Sequence, residues 1–475
     1  MEDFLVYSLT YNVATRFPGP GDDFRPILGL DTSSSSTSTY VKIPDMYIIA
    51  LQEVKAQPQN MVWDTLFDDP WTAKVKDALA PFSFVKIHTL RMQGLVTSLY
   101  LKRSHLVYLR DVETLWTRRG FGGMWGNKGA VSIRLVLHGC SLCIVNCHLT
   151  PHDHMLKERI SDYQEILHGQ TFSYQETSNI LFHDYVFWMG DFNFRLNGNT
   201  TSDEIVDGVS NGKCSELLKE DQLLQVRMSG EAFSELHELP ITFPPTYKFE
   251  TGVDNYDSKR RPAWTDRILY HVNASAYDNV TLKVEGNNYK AHMPFRCSDH
   301  RPVTASFQIR VFRPTTLKLV DFVNVPLWYT GESNKVFFKV VPTLETSPDD
   351  WIAIFKADFT SIDDYVAYVY ATLPHIDAEE EGRVSTDESS GERSVTFSEN
   401  SINFDGSYVL MYFAHASRSI YGMSNVFESA SRGLAADSDA CYHTSCMTGI
   451  TVLQIIVYLI IQTKNIVMWS LHHIP

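Results

Sequence analysis

The sequence predicts an α/β domain of layered mixed sheets with helices outside, followed by a small all-β domain. Three observations predict it. From Phe4 to about Phe312, short apolar runs alternate with polar loops. An amphipathic helical repeat falls between two of those runs. Past Arg313-Pro314 the helical periodicity is gone and only strand-like stretches remain.

The runs Phe4–Tyr11, Tyr47–Leu51, Leu142–Cys147, Val186–Met189, Ile268–Val272 and Val303–Ile309 are rich in Val, Ile, Tyr and Phe. They are too short for free-standing helices and read as strands. Leu156, Ile160, Tyr163 and Leu167 recur at helical spacing, the pattern of a helix with one apolar face. Such mixtures build sheets covered by helices. Ser33–Thr39 is all Ser and Thr and reads as a loop insertion.

The second region carries strand-like Val336–Val340, Trp351–Phe355, Tyr365–Tyr370 and Tyr408–Phe413, with an acidic loop at Glu379-Glu380-Glu381 and Asp387-Glu388. A small β-sandwich is the reading. The predicted boundaries are 1–312, 318–430 and a variable tail at 433–475. In the tail, Ile450–Ile461 is 12 residues long and apolar except for Thr451 and Gln454. A bilayer span needs about 20, so an interfacial segment or an unusual alternative C-terminus is favoured over a tail anchor.

A chain of 475 residues has room for two or three domains. Its formal net charge of -15 argues against general nucleic-acid binding, although a local basic patch can still hold a phosphorylated ligand. Seven cysteines show no metal-type pairing, and Cys140, Cys143 and Cys147 lie in or near an apolar run, as buried thiols do. Met1-Glu2-Asp3 has no basic stretch followed by a longer apolar core. A reducing cytosolic setting is expected, and the sequon at Asn199 then carries no meaning.

Unusual polar residues collect at strand ends. Asn12 ends the first run and Gln52-Glu53 the second; His148 follows Leu142–Cys147, and Asp191 with Asn193 follows Val186–Met189. Asp266 precedes one strand, and Asp299 with His300 another. If the sheets contain antiparallel neighbours, all six clusters can meet on one edge, whereas an all-parallel sheet would split them. Together they offer oxygen ligands for a hard divalent cation. They also offer carboxylates to position a water and His and Asn donors for phosphoryl oxygens. Singly, each is an ordinary turn or loop residue.

Two long stretches, Phe187-Trp188-Met189-Gly190-Asp191-Phe192-Asn193-Phe194-Arg195 and Pro262-Ala263-Trp264-Thr265-Asp266-Arg267-Ile268-Leu269, resemble the signature motifs of the inositol polyphosphate 5-phosphatases. Gly126-Asn127-Lys128-Gly129-Ala130-Val131 and Ser298-Asp299-His300-Arg301-Pro302-Val303 resemble further blocks of that family. The resemblance covers about residues 4–312. It implies the four-layered α/β sandwich of the endonuclease/exonuclease/phosphatase (DNase I-like) type. Thr265 stands where many members carry Cys, a change expected to leave the chemistry alone.

The resemblance also implies roles. Glu53 would ligate Mg²⁺, with Asn12 and Asp299 nearby. Asp191, helped by Asn193, would orient or deprotonate the attacking water. Asp266 would hold His300 on the scissile phosphate, and His148 would be a second phosphate contact. Tyr247, Lys248 and Arg260, with Lys259 and Arg261 beside them, lie where the family grips the 4-phosphate, and Lys128 is a further phosphate contact. Phe121, Met124 and Trp125, set among glycines, would either dip into a bilayer or pack on the sheet.

Phe322-Val323-Asn324-Val325-Pro326, Tyr329, Ser347-Pro348-Asp349-Asp350-Trp351-Ile352, Asp364-Tyr365, Gly406-Ser407-Tyr408 and Gly422-Met423-Ser424 resemble a SKICH domain, a pairing similar to the skeletal-muscle and kidney enriched inositol phosphatase group and its proline-rich relative. With no proline-rich stretch ahead of the first strand, the former group is favoured. The resemblance implies hydrolysis of the 5-phosphate of phosphatidylinositol 4,5-bisphosphate and 3,4,5-trisphosphate, with soluble inositol polyphosphates as further substrates. It implies a cytoplasmic protein recruited peripherally to endoplasmic reticulum or plasma membrane. The acidic SKICH surface favours a protein partner over anionic lipid. A nuclease of the same fold and a non-enzymatic scaffold are the competing readings. The negative charge, the Tyr247/Lys248/Arg260 set and the SKICH motifs weigh against the nuclease, and the intact set of polar residues weighs against the scaffold.

Overall fold

The computed structural model describes residues 1–19, 21–30, 42–55, 68–120, 125–313, 318–371, 385–387 and 392–432. Residues 33–39, 121–124, 379–381, 388 and 433–475, on which several expectations fall, lie outside the described residues, as does the side chain of Trp125.

The first region contains strands β1 (Glu2–Asn12), β2 (Met46–Gln52), β3 (Phe84–Met92), β4 (Leu95–Lys102), β5 (Leu109–Gly120) and β6 (Trp125–Leu137). It continues with β7 (Cys140–His148), β8 (Tyr185–Asp191), β9 (His237–Glu238), β10 (Asp266–Val272), β11 (Val284–Ala291) and β12 (Val303–Val311). They form two six-stranded sheets, ordered β11-β12-β1-β2-β4-β3 and β5-β6-β7-β8-β10-β9. Helices α1 (Pro70–Leu79) and α2 (Leu156–Gly169) flank them.

Central strands are apolar on both faces because both faces are covered. In β2, Met46, Ile48 and Ala50 meet Ile144, Phe187 and Met189 of the other sheet, while Tyr47, Ile49 and Leu51 pack with Trp71 and Val75 of α1. In β7 and β8, Cys143, Val145 and Trp188 turn outward onto Tyr163 and Ile166 of α2. The four layers are therefore α1, sheet, sheet and α2, as expected. Cys140, Cys143 and Cys147 are free and buried.

The pairing answers the strand-end question. β1 runs parallel to β2, with Asn12 opposite Gln52, and antiparallel to β12, with Thr10 opposite Val303. β7 runs parallel to β8, with His148 opposite Asp191. β10 is antiparallel to β8, with Asp266 also opposite Asp191. The ends of four strands and the starts of two thus share one edge. Gln52 joins the sheets there, its Nε2 donating to Asn146 Oδ1 at 2.7 Å.

The second region is all strand among the described residues. It comprises β13 (Val320–Phe322), β14 (Trp328–Tyr329), β15 (Asn334–Val340), β16 (Trp351–Lys356), β17 (Tyr365–Tyr370), β18 (Ser385–Asp387), β19 (Glu392–Phe397), β20 (Gly406–Ala414), β21 (Ser419–Met423) and β22 (Phe427–Ala430). They form sheets ordered β13-β15-β19-β18 and β14-β22-β20-β16-β17, with β21 beside β20. Phe338, Ile352, Leu410 and Tyr412 fill the space between these sheets. The alternate residues Ala353, Phe355, Met411 and Phe413 join the core of the first region instead. Met1–Ala56 and Pro70–Ser431 accordingly form one compact unit. Among the described residues no helix is long and apolar enough to cross a membrane.

Candidate active site

Every strand-end cluster contributes to one constellation. Asn12 Nδ2 donates to Asp191 Oδ2 at 3.0 Å and to Glu53 Oε1 at 3.3 Å. His148 Nε2 lies 3.2 Å from Asp191 Oδ2 and 3.8 Å from Glu53 Oε1. Lys128, on β6, brings its Nζ against the His148 ring, 3.3 Å from Nδ1. Glu53 sits just past β2 with φ of 56°, and its side chain is 39% exposed where that of Asp191 is 2%. Two carboxylate oxygens thus converge on one amide, one buried and one reachable from solvent.

Asn193, at φ 56°, is held from three sides. Its N–H donates to Asp191 Oδ1 at 3.1 Å, its Nδ2 to Leu149 O at 3.1 Å, and its Oδ1 accepts from Arg195 Nη2 at 2.7 Å. A left-handed residue after the strand turns the chain so that the Asn193 N–H reaches back to the Asp191 carboxylate. Asn tolerates that conformation better than most residues.

On the other side His300 Nδ1 lies 2.9 Å from Asp266 Oδ2 and 3.1 Å from Oδ1. Asp266 Oδ2 also accepts from Thr246 Oγ1 at 2.6 Å and Thr265 Oγ1 at 2.9 Å. The Tyr247 ring packs on the imidazole, centroids 4.5 Å apart, and the Arg195 guanidinium lies over the far ring, 4.6 Å from the Tyr247 centroid.

The electrostatics follow from burial opposed by charge. Burial alone would lower the His300 pKa, but Asp266, Asp191 and Asp299 outweigh it and push it up to about 9. Burial would raise the Asp191 carboxyl, yet His148, His300 and Lys128 hold it well below the usual carboxylate range. His148 is pushed down by burial and by Lys128, with Asp191 and Glu53 opposing. Burial also lowers the Lys128 ammonium, with Asp191 and Glu53 opposing it.

Asp191, Asp266 and His300 offer ligand atoms within 4.8 Å of one another. His300, however, is bonded to Asp266 and held as a cation, which opposes a metal there. The Asp299 carboxylate meets Lys248 Nζ at 3.3 Å and Ser298 Oγ at 3.3 Å. Lys248 also reaches Asp257 at 3.9 Å. Arg260 and Lys259 are exposed, whereas Arg261 is tied to Asp153 Oδ2 at 3.2 Å and Leu196 O at 3.1 Å. Among the described residues, no side-chain partner accompanies the Arg260 guanidinium.

Thr246, Arg195 and Ser298 were not singled out in the sequence. Ser298 Oγ donates to Asn12 O at 2.7 Å and so ties the β12 end to the β1 end. Arg195 and Ser298 stand inside the matched motifs, and their spacing to Asn193 and His300 was the available signal. Thr265 does more than expected, because its hydroxyl donates to Asp266.

Residues 9–306 match the model of the Endonuclease/Exonuclease/phosphatase family 2, and residues 320–429 match the SKICH domain. The chain belongs to that family, in its inositol polyphosphate 5-phosphatase branch with a C-terminal SKICH domain. It is 36% identical over 436 residues to rat phosphatidylinositol 4,5-bisphosphate 5-phosphatase A, covering 90% of this chain and 42% of that one. It is 35% identical over 381 residues to mouse inositol polyphosphate 5-phosphatase K, covering 77% and 78% respectively. The chain thus spans about two fifths of the first relative and most of the second. Among solved structures, the inositol polyphosphate 5-phosphatase domain of SPsynaptojanin, in complex with inositol (1,4)-bisphosphate and calcium ion, matches with a TM-score of 0.55 at 30% identity. That match covers 65% of this chain and 86% of that domain.

Proposed function

We propose that the chain is a Mg²⁺-dependent phosphoinositide 5-phosphatase acting on phosphatidylinositol 4,5-bisphosphate and 3,4,5-trisphosphate, and on soluble inositol polyphosphates. The observation that carries this reading is the convergence of Asn12, Glu53, His148 and Asp191 with the His300–Asp266 pair on one edge. The relatives' names support the substrate class.

The donor set fits a hard cation: the Glu53 carboxylate, reachable from solvent, would hold Mg²⁺, which favours oxygen ligands, with Asn12 and Asp299 nearby. When bound, the ion supplies charge neutralisation at the phosphoryl oxygens. The chain's own residues do the rest. Asp191, ionised and fixed by Asn12 and the Asn193 N–H, orients a water for in-line attack. His300, cationic, and His148 with Lys128 donate to phosphoryl oxygens as charge develops. Tyr247, Lys248 and Arg260 grip the neighbouring ring phosphate.

The reading extends to recruitment at a membrane surface, with a protein partner on the SKICH domain and no role for nucleic acid. Separating the products of phosphatidylinositol 4,5-bisphosphate hydrolysis by headgroup tests the reaction: it requires the 4-phosphorylated lipid, and loss of the 4-phosphate instead would refute it.

A further inference from the structure

The SKICH domain is anchored at one place on the catalytic domain. Arg103, just past β4, donates to Ala357 O and, at 2.7 Å, to Phe359 O, with its guanidinium over the Phe359 ring at 4.3 Å. Arg110 donates to Ile420 O at 2.5 Å and the Val112 N–H to Ser417 O at 3.2 Å. The backbone of Lys86 exchanges hydrogen bonds with Thr360 O at 2.8 Å and the Ile362 N–H at 3.1 Å.

Strand register shows which end of the sandwich this is. Lys86 pairs with Tyr100 late in β4, and Tyr100 pairs with Tyr47 early in β2, whereas Glu53 follows the end of β2. Arg110 pairs with Val136, and Val136 with Ser141 at the start of β7, whereas His148 ends β7. Seven residues separate Ser141 from His148, about 23 Å of strand. The anchors therefore lie toward the end opposite the active edge.

Residues 318–430 carry 7 Lys and Arg against 18 Asp and Glu, which is -11 of the chain's -15. An anionic leaflet repels such a domain. At about 23 Å the repulsion is screened, since the Debye length is about 8 Å in physiological salt. By contrast, Phe17 is 55% exposed beside the active edge, with Lys55 Nζ 5.0 Å from its ring centroid. Thr15 N–H bonds to Glu53 O at 2.9 Å, which holds that segment against the site.

Resting on the phosphoinositide reading, we propose that the SKICH domain stands off the bilayer that holds the substrate, and that the rim of the active edge, marked by Phe17 and Lys55, is the surface that meets it. The localising contacts of the SKICH domain are then made away from that bilayer.

The test uses the full chain with a fluorophore carried on an encoded non-natural amino acid in place of Phe17 or, separately, Lys335. Lys335 is exposed on β15, in the SKICH sheet whose core residues Val336 and Phe338 pack with Ile352 and Leu410 of the other SKICH sheet. The vesicles contain phosphatidylcholine, phosphatidylserine and phosphatidylinositol 4,5-bisphosphate, with a contact quencher on lipid headgroups and chelator to prevent turnover. Position 17 loses most of its emission and position 335 keeps its own. Quenching at both positions, at 335 alone, or at neither overturns the proposal. Hydrolysis on adding Mg²⁺ to the same samples reports separately on the phosphatase reading.

Discussion

His300 Nδ1 and Asp266 Oδ2 lie 2.9 Å apart, both buried, and the carboxylate that holds the imidazole charged is itself fixed by two hydroxyls, Thr246 and Thr265. Asp266→Asn keeps the shape and removes the charge. It lowers kcat by about a hundredfold or more, with KM nearly unchanged and circular dichroism intact. Near-normal turnover removes the pair from the mechanism.

The same pair makes stability depend on pH. The folded pKa of about 9 stands above the usual 6.5, so the stabilisation is fully present below pH 6.5 and is lost as pH rises through 9. It is worth on the order of 3 kcal/mol. Urea unfolding of the metal-free protein at pH 6 and pH 9.5 measures the loss, and Asp266→Asn flattens it.

Lys248 meets Asp299 and Asp257. A ring phosphate competes for the ammonium, so Lys248→Ala raises KM about tenfold or more for 4,5-bisphosphorylated substrates. A substrate lacking the 4-phosphate is little affected. Equal losses on both show that Lys248 does not read that phosphate.

Arg103 bridges the domains through two carbonyls and the Phe359 ring. Arg103→Ala costs about 1–3 kcal/mol of stability while leaving KM for soluble inositol trisphosphate unchanged. Calorimetry and steady-state kinetics on the same preparation check both halves.

The site was legible because polar residues at strand ends are conspicuous against apolar strands. Antiparallel pairing of β1 with β12 and of β8 with β10 then collects them. The supports were harder to see. Thr246 and Ser298 look like ordinary turn residues until the fold brings them to Asp266 and Asn12. Arg267, inside the second motif, is fully buried and bonded to Glu238 at 2.6 Å and Asp221 at 3.0 Å, a structural charge that sequence alone does not separate from a catalytic one. The docking of the SKICH domain was not legible either. Alternation in β16 and β20 shows that both faces are apolar but not what covers the second.

The most direct test is phosphate release from vesicles carrying phosphatidylinositol 4,5-bisphosphate, wild type beside Asp191→Ala, with and without Mg²⁺. Release that requires both the metal and Asp191 is the predicted result. Release that persists in Asp191→Ala, or none by the wild type from lipid or from soluble inositol trisphosphate, contradicts the account.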